Sequence, residues 1–210
     1  MGKQFYKLKK CKLKECDKTF KQYNSLKPFC SYICELKFAE SKECEKMHDE
    51  LKLKVKGEEL HKKLPKLLEA QINHIVRLID KGHPCISTGT PWGSYIVNAG
   101  HYVSVGSNTT LRYNLLNIFN QSKSDNFFKG GKGSNYSIRL KEVFGVFVRD
   151  EIESLPAKYK SIHLTDNDYL EKIIICKKIV KELKSVDRVY STDERIMLRR
   201  EYNERIGIYV

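Results

Sequence analysis

The sequence predicts a helix-rich α+β chain: a small cysteine-bearing lobe, a long charged helix, a central strand–strand–helix unit and a run of C-terminal helices. Three observations carry this. Four cysteines fall in two close pairs inside the first 34 residues. Two long proline-poor stretches then show helical periodicity, and between them and the C-terminal third lies HPCISTGTPWGSYIVNAGHYVSVGS, rich in Gly, Ser, Thr and β-formers. The boundaries follow these changes of texture: a basic cysteine module over 1–36, a helical connector over 37–82, a mixed domain with its C-terminal helices over 83–184, and a charged tail over 185–210.

In the first segment Cys11 and Cys16 enclose four residues, thirteen residues follow, and Cys30 and Cys34 enclose three. Two close pairs joined by a loop-sized stretch suit a four-thiolate Zn²⁺ site, whose binding would supply much of the folding free energy of so short a module. Seven cysteines, an odd number, argue for thiols or metal ligands and against a disulfide framework. The intervening FKQYNSLKPF reads as a small β-hairpin. Residues 1–34 also carry a net charge of +7 out of +13 for the chain. Lys7, Lys9, Lys10, Lys12 and Lys14 would draw a polyanion, chiefly nucleic acid, although a lysine-rich solvated surface explains the same charges.

From Glu35 to Lys56 the pattern is charged and free of proline, a solvent-rich helix with Gly57 as its stop. Cys44 and His48 lie one turn apart on it, two ligand types without partners and more simply ordinary helix residues. Pro65 suits the first turn of a second helix, in which Leu64, Leu67, Leu68, Ile72, Ile75, Val76 and Ile79 form an apolar stripe ended by Gly82. His74 borders that stripe as a structural residue. In the last third, Tyr136–Val143 and Phe147–Leu155 read as helices around Gly145. Thr165 with Asp168 forms an acidic capping box for a helix over 166–184. The tail from Ser185 either packs as a last helix or mediates self-association. No run of about 18 apolar residues exists, and the N-terminus lacks an apolar leader, so the expected location is the cytoplasm.

The stretch Val97–Asn126 concentrates the chemistry. His101 follows a glycine and stands between two strand-like runs, with Arg112, Asn114, Asn117 and Asn126 close behind. Phosphodiester hydrolysis needs a base for water, a cation at the phosphate and fixed geometry. His101 is the candidate base, Asn117 the residue that would hold its imidazole through a side-chain carbonyl, Asn126 a metal-reaching amide, and Arg112 a bidentate phosphate grip. A histidine that merely anchors a hairpin is the plain alternative. Gly130-Gly131 with Lys129 and Lys132 would let backbone amides approach a phosphate, or form a mobile loop; the residues favour neither.

These segments, taken in order, resemble the NinG/Rap family of phage recombination proteins, within the HNH or ββα-metal nuclease class. The resemblance runs over about residues 11–183. It rests on the cysteine array, PCISTGT at 84–90, AGHY at 99–102, LRYN at 111–114, NIFNQ at 117–121, Asn126, the YSIRL and VFGVFVRDEIE stretches and the helix at 165–183. It implies a structure-selective endonuclease, dependent on Mg²⁺ or Mn²⁺, for branched DNA such as Holliday junctions and D-loops, made in a bacterial host by a phage or prophage. A homodimer would suit two coordinated cuts.

The chain departs from the family pattern. Cysteine pairs that often brace the site are here Cys85 with Thr88 and Ser122 with Asp125, so no second zinc is expected. Packing by Trp92, Tyr95, Phe119 and Phe127 must then hold the site. Phe119 and Phe128 replace histidines. Gly100 stands where the family often has a metal-binding aspartate, and Asp125 is the nearest carboxylate to replace it. These losses keep a second reading open, a non-cleaving DNA-binding accessory protein with a degenerate site, and a third, an RNA-binding zinc protein.

Overall fold

The computed structural model describes residues 7–22, 28–54, 59–128, 133–159 and 162–209. The chain divides into two compact units, Met1–Lys54 and Val55–Val210.

In the first unit β1 (Lys7–Lys10) pairs antiparallel with β2 (Thr19–Gln22), from Lys7 opposite Gln22 to Lys10 opposite Thr19. The hairpin expected over FKQYNSLKPF therefore forms earlier, around the first cysteine pair: β-branched and aromatic Thr19 and Phe20 pair back on the lysine strand, and the Cys11 amide donates to the Lys18 carbonyl. Residues 23–27 lie outside the described residues. The helix α1 (Tyr32–Lys54) starts three residues before the expected Glu35. None of its described side chains is buried, as a helix polar on every side requires. Cys11 and Leu13 are buried, and Phe29 meets Phe38 with ring centroids 5.0 Å apart. So small an apolar core needs help from the cysteines.

In the second unit α2 (Glu59–Ile79) buries Leu64, Leu68, Ile72, Ile75, Val76 and Ile79 completely and packs along α6 (Asp166–Val186). Pro65 lies inside α2 and not in its first turn, because the helix already begins at Glu59. The connector expected over 37–82 is thus divided: α1 belongs to the first unit and α2 to the core of the second. The strands β3 (Val97–His101) and β4 (Ile118–Ser122) pair antiparallel, with Gly100 opposite Phe119 and His101 opposite Ile118. The six-residue helix α3 (Lys123–Phe128) follows β4 directly. After α4 (Gly133–Phe144) comes α5 (Val146–Lys158); Gly145 between them has φ +85°, a left-handed backbone that separates the two helices. Thr165 and Asp168 form the expected capping box on α6.

The tail expected over 185–210 is helix α7 (Thr192–Ile206), and it is part of the core. Asp80, just past α2, is fully buried between Arg195 and Arg199 of α7. Its Oδ1 accepts from Arg195 Nε and Arg199 Nη2, each at 2.8 Å; its Oδ2 accepts from Arg199 Nη2 at 2.7 Å and from the Asn120 amide at 2.8 Å. One carboxylate thus ties α2, α7 and β4 together. The Arg199 guanidinium also lies 4.3 Å from the Phe119 ring centroid. Tyr136 of α4 is buried against Phe119 and donates from its hydroxyl to the Gly100 carbonyl at 2.9 Å. The hairpin is therefore held from several sides. Among the described residues no helix is long and apolar enough to cross a membrane.

Candidate functional site

Cys11, Cys16, Cys30 and Cys34 come together in the first unit, all four sulfurs within 4.8 Å of one another. Cys30 Sγ lies 3.6 Å from Cys16 Sγ and 3.5 Å from Cys34 Sγ. Tetrahedral zinc with Zn–S bonds of about 2.3 Å has sulfurs about 3.8 Å apart, so these four residues can hold a metal such as zinc. The crowded thiols also split in acidity. The Cys11 thiol is raised by burial and lowered more by the Cys30 and Leu13 amides and neighbouring thiols, to about 7, whereas Cys34 foremost pushes Cys30 up to about 12. Thiols so close resist losing all their protons unless a cation joins them. Lys9, Lys10, Lys12 and Lys14 are exposed on this unit; Lys10 pairs with Asp17 at 3.0 Å and Lys12 covers the Phe38 ring.

In the second unit, His101 ends β3 half-buried. Its Nε2 donates to the Arg112 carbonyl at 2.9 Å. A carbonyl only accepts, so Nε2 carries the proton and Nδ1 keeps its lone pair. Burial holds this imidazole below the usual histidine range, partly offset by the Arg112 carbonyl and by Glu69, so it is neutral at pH 7. Strand end, tautomer and charge state together describe a group able to accept a proton.

Asn117 does not orient the imidazole through its side chain, as the sequence suggested; the Arg112 backbone does. Asn117 is fully buried and staples the connection between the strands: its Oδ1 accepts from Val103 N at 2.8 Å, and its Nδ2 donates to the carbonyls of Val103 at 3.0 Å and Leu111 at 3.3 Å. It thereby fixes the segments just after His101 and just before Arg112. Asn114 has a parallel task, capping the 3-10 turn Leu115–Asn117 and accepting from Asn203 of α7.

On α3, Asn126 Nδ2 reaches toward the Ala99 carbonyl at 3.5 Å. The preceding Asp125 is buried; it accepts from Ser87 Oγ at 2.6 Å, and Gln121 Nε2 donates to the same hydroxyl at 3.1 Å. Cys85 Sγ stands 3.3 Å from Ser87 Oγ and accepts from the Ser122 amide at 3.2 Å. Of the positions read as vestiges of a cysteine brace, Cys85 and Asp125 are thus joined through Ser87 and Ser122 binds Cys85 directly, whereas Thr88 is exposed and its hydroxyl pairs with that of Thr90. Gly100 leaves no gap. A Cβ on it would lie 1.9 Å from Gln121 Oε1, so the glutamine amide fills the space a side chain would take. That oxygen is buried without a hydrogen-bond partner among the described residues.

Arg112 lines a cleft of about 290 Å³ together with Thr109, Thr110, Tyr113, Ile162, His163 and Tyr169. Its Nε is buried and has no hydrogen-bond partner among the described residues. The sequence reading missed His163 and Tyr169, some fifty residues downstream in the loop before α6 and in α6 itself, because nothing local marks them. Of the expected packing residues, Phe119 is fully buried and contacts Tyr136 and Phe144. Trp92 is 36% exposed and leans edge-on to Tyr95, so it covers no core. Lys129, Gly130, Gly131 and Lys132 lie outside the described residues, as do the side chains of Lys7, Cys44, His48, Phe127 and Phe128.

The family profile described as Bacteriophage Lambda NinG protein matches residues 3–187. The chain is 32% identical to Protein ninG of Salmonella phage P22, over 70% of this chain and 80% of that protein, and equally to Protein ninG of Escherichia phage lambda. It is 34% identical to Protein ninG of Enterobacteria phage H19B over 42% of this chain and 44% of that one. No solved structure matches. The chain belongs to the NinG family of phage proteins.

Proposed function

We propose that this chain is a structure-selective DNA endonuclease of phage recombination, dependent on Mg²⁺ or Mn²⁺ and acting on branched DNA such as Holliday junctions and D-loops in the host cytoplasm. The observation that carries this reading is the His101 Nε2 bond to the Arg112 carbonyl, which leaves Nδ1 as a proton acceptor at the end of a strand. The succession β3, β4, α3 supports it, since the HNH class builds its site on strand–strand–helix order. In this reading His101 takes the proton from the attacking water and Asn117 fixes the loop around it. Arg112 grips a phosphate of the bound strand from the adjoining cleft. Asn126, with Asp125, is the ligand set for a divalent cation, which when bound would stabilise charge on the phosphate oxygens. The four-cysteine site takes zinc, and its exposed lysines grip DNA backbone. A homodimer would place two such sites on a junction.

Two observations favour a second reading, DNA binding without cleavage: Asp125 is buried against Ser87, and Gly100 supplies no carboxylate. Hard cations favour charged oxygen ligands. Incubating zinc-loaded protein with four-way junction and with linear duplex, with and without Mn²⁺, separates the two. Metal-dependent cutting that weakens in Asp125→Ala supports the nuclease and its ligand; binding with no cutting supports the accessory protein.

A further inference from the structure

We infer that the cleft between the 3-10 turn Thr109–Leu111 and the start of α6 binds one phosphodiester of a nucleic-acid strand, with Arg112 and His163 on the phosphate and Tyr169 beside the neighbouring sugar or base. The inference deepens the nucleic-acid reading above and rests on it.

The chemistry of the lining is one-sided. Of its seven residues, none is a carboxylate, two are Arg112 and His163, and two are threonines. Arg112 has no ion pair among the described residues, and no carboxylate in the lining offsets its charge. A guanidinium presents the planar fork that phosphate oxygens match. The Thr109 hydroxyl, without a partner among the described residues, adds another donor.

Size and rigidity narrow the ligand. At about 290 Å³ the cleft holds far more than a lone ion, yet it lies at the lower limit for organic ligands. A phosphate with part of its nucleotide fits that space. The floor is set before anything binds: Asn108 caps the turn by accepting from Thr110 N at 2.9 Å, the Tyr209 hydroxyl donates to the Thr110 carbonyl, and the Tyr113 amide donates to Tyr209 Oη at 3.2 Å. The Tyr113 and Tyr169 rings meet edge-on with centroids 6.3 Å apart, an aromatic wall beside Arg112 and His163. Strand-binding sites combine such charge with such rings. Finally, the residue whose guanidinium lines the cleft is the one whose carbonyl holds His101.

The test is NMR of the His163 ring in the full-length, zinc-loaded protein without added Mg²⁺ or Mn²⁺. Three probes are titrated: the dinucleotide TpT, its neutral methylphosphonate analogue and inorganic phosphate. His163→Gln assigns the signal, and the His101 ring signal reports that the site stays folded. TpT should shift His163 saturably and the neutral analogue should not. Arg112→Lys, which keeps the charge and the backbone carbonyl but loses the fork, should weaken TpT binding by about tenfold, and Tyr169→Leu should weaken TpT but not phosphate. No shift with TpT, equal shifts with the neutral analogue, or phosphate binding tighter than TpT would each overturn the inference. If TpT binds as described but Mn²⁺ brings no junction cleavage, the nuclease reading fails and the subsite stands.

Discussion

Replacing Asp80 by Asn removes one negative charge and leaves two fully buried guanidinium groups facing each other. Asn is nearly isosteric, so the loss is electrostatic and not a cavity. In the native unit the carboxylate accepts four hydrogen bonds at 2.7–2.8 Å from Arg195, Arg199 and the Asn120 amide. The asparagine amide retains one acceptor and turns an NH₂ toward donors. Each ion pair, with charges about 4 Å apart, is worth about 4 kcal/mol at an effective dielectric of about 20. Two such attractions are lost, and the relief of no longer burying a carboxylate offsets part of them. The expected net cost is about 3–5 kcal/mol, the range found when one partner of a buried pair is removed. For a unit of this size that lowers Tm by about 10–15 °C. Urea and thermal melts followed by circular dichroism, in zinc-containing buffer, read this directly. In an Arg199→Met background the cost of Asp80→Asn should fall, because less charge is left uncompensated. A loss under about 1 kcal/mol, or an equal loss in both backgrounds, would refute the account of how α7 is held.

Other expectations follow from the same structure. Native protein should carry one zinc per chain, and Cys11→Ser should lose it; metal analysis finding none in native protein would remove the site. Burial depresses the imidazoles of His74, His83 and His101. The unfolded chain therefore binds more protons, and stability falls as pH drops below the ordinary histidine value of about 6.5. A urea midpoint no lower at pH 5 than at pH 7 would contradict this. For the same reason the acid limb of any cleavage rate should have its midpoint below about 6.5, and a midpoint above it would exclude neutral His101 as the base. Gly100→Ala should cost about 1–3 kcal/mol, since the new Cβ displaces Gln121 from Ser87. The cost should shrink in Gln121→Ala; an unchanged cost would show the clash lies elsewhere.

Some of this was legible in the sequence, and the failures have physical causes. Thiol pairs at short spacing announce a metal site because a tetrahedral ion needs close ligands whatever the surrounding fold. The stripe of α2 and the capping box of α6 are likewise local patterns. The role of Asn117 was not legible, since backbone carbonyls belong to every residue and only the folded turn presents the Arg112 carbonyl to His101. Arg195 and Arg199 look like the solvated face of a charged tail; their partner Asp80 lies 115 and 119 residues away. Gly100 reads as a missing ligand until Gln121, across the hairpin, is seen to occupy its space. Arg112 could be singled out by its charge, but His163 and Tyr169 join it only through the packing of α6.

The central claim is that His101, pinned through Nε2 by the Arg112 carbonyl, serves as the base of a DNA-cutting site. Cleavage of a four-way junction with Mn²⁺, compared between native protein and His101→Ala, tests it most directly. Metal-dependent cutting should fall by at least about a hundredfold in the variant while junction binding is retained. Cutting that persists at the native rate in His101→Ala would contradict it.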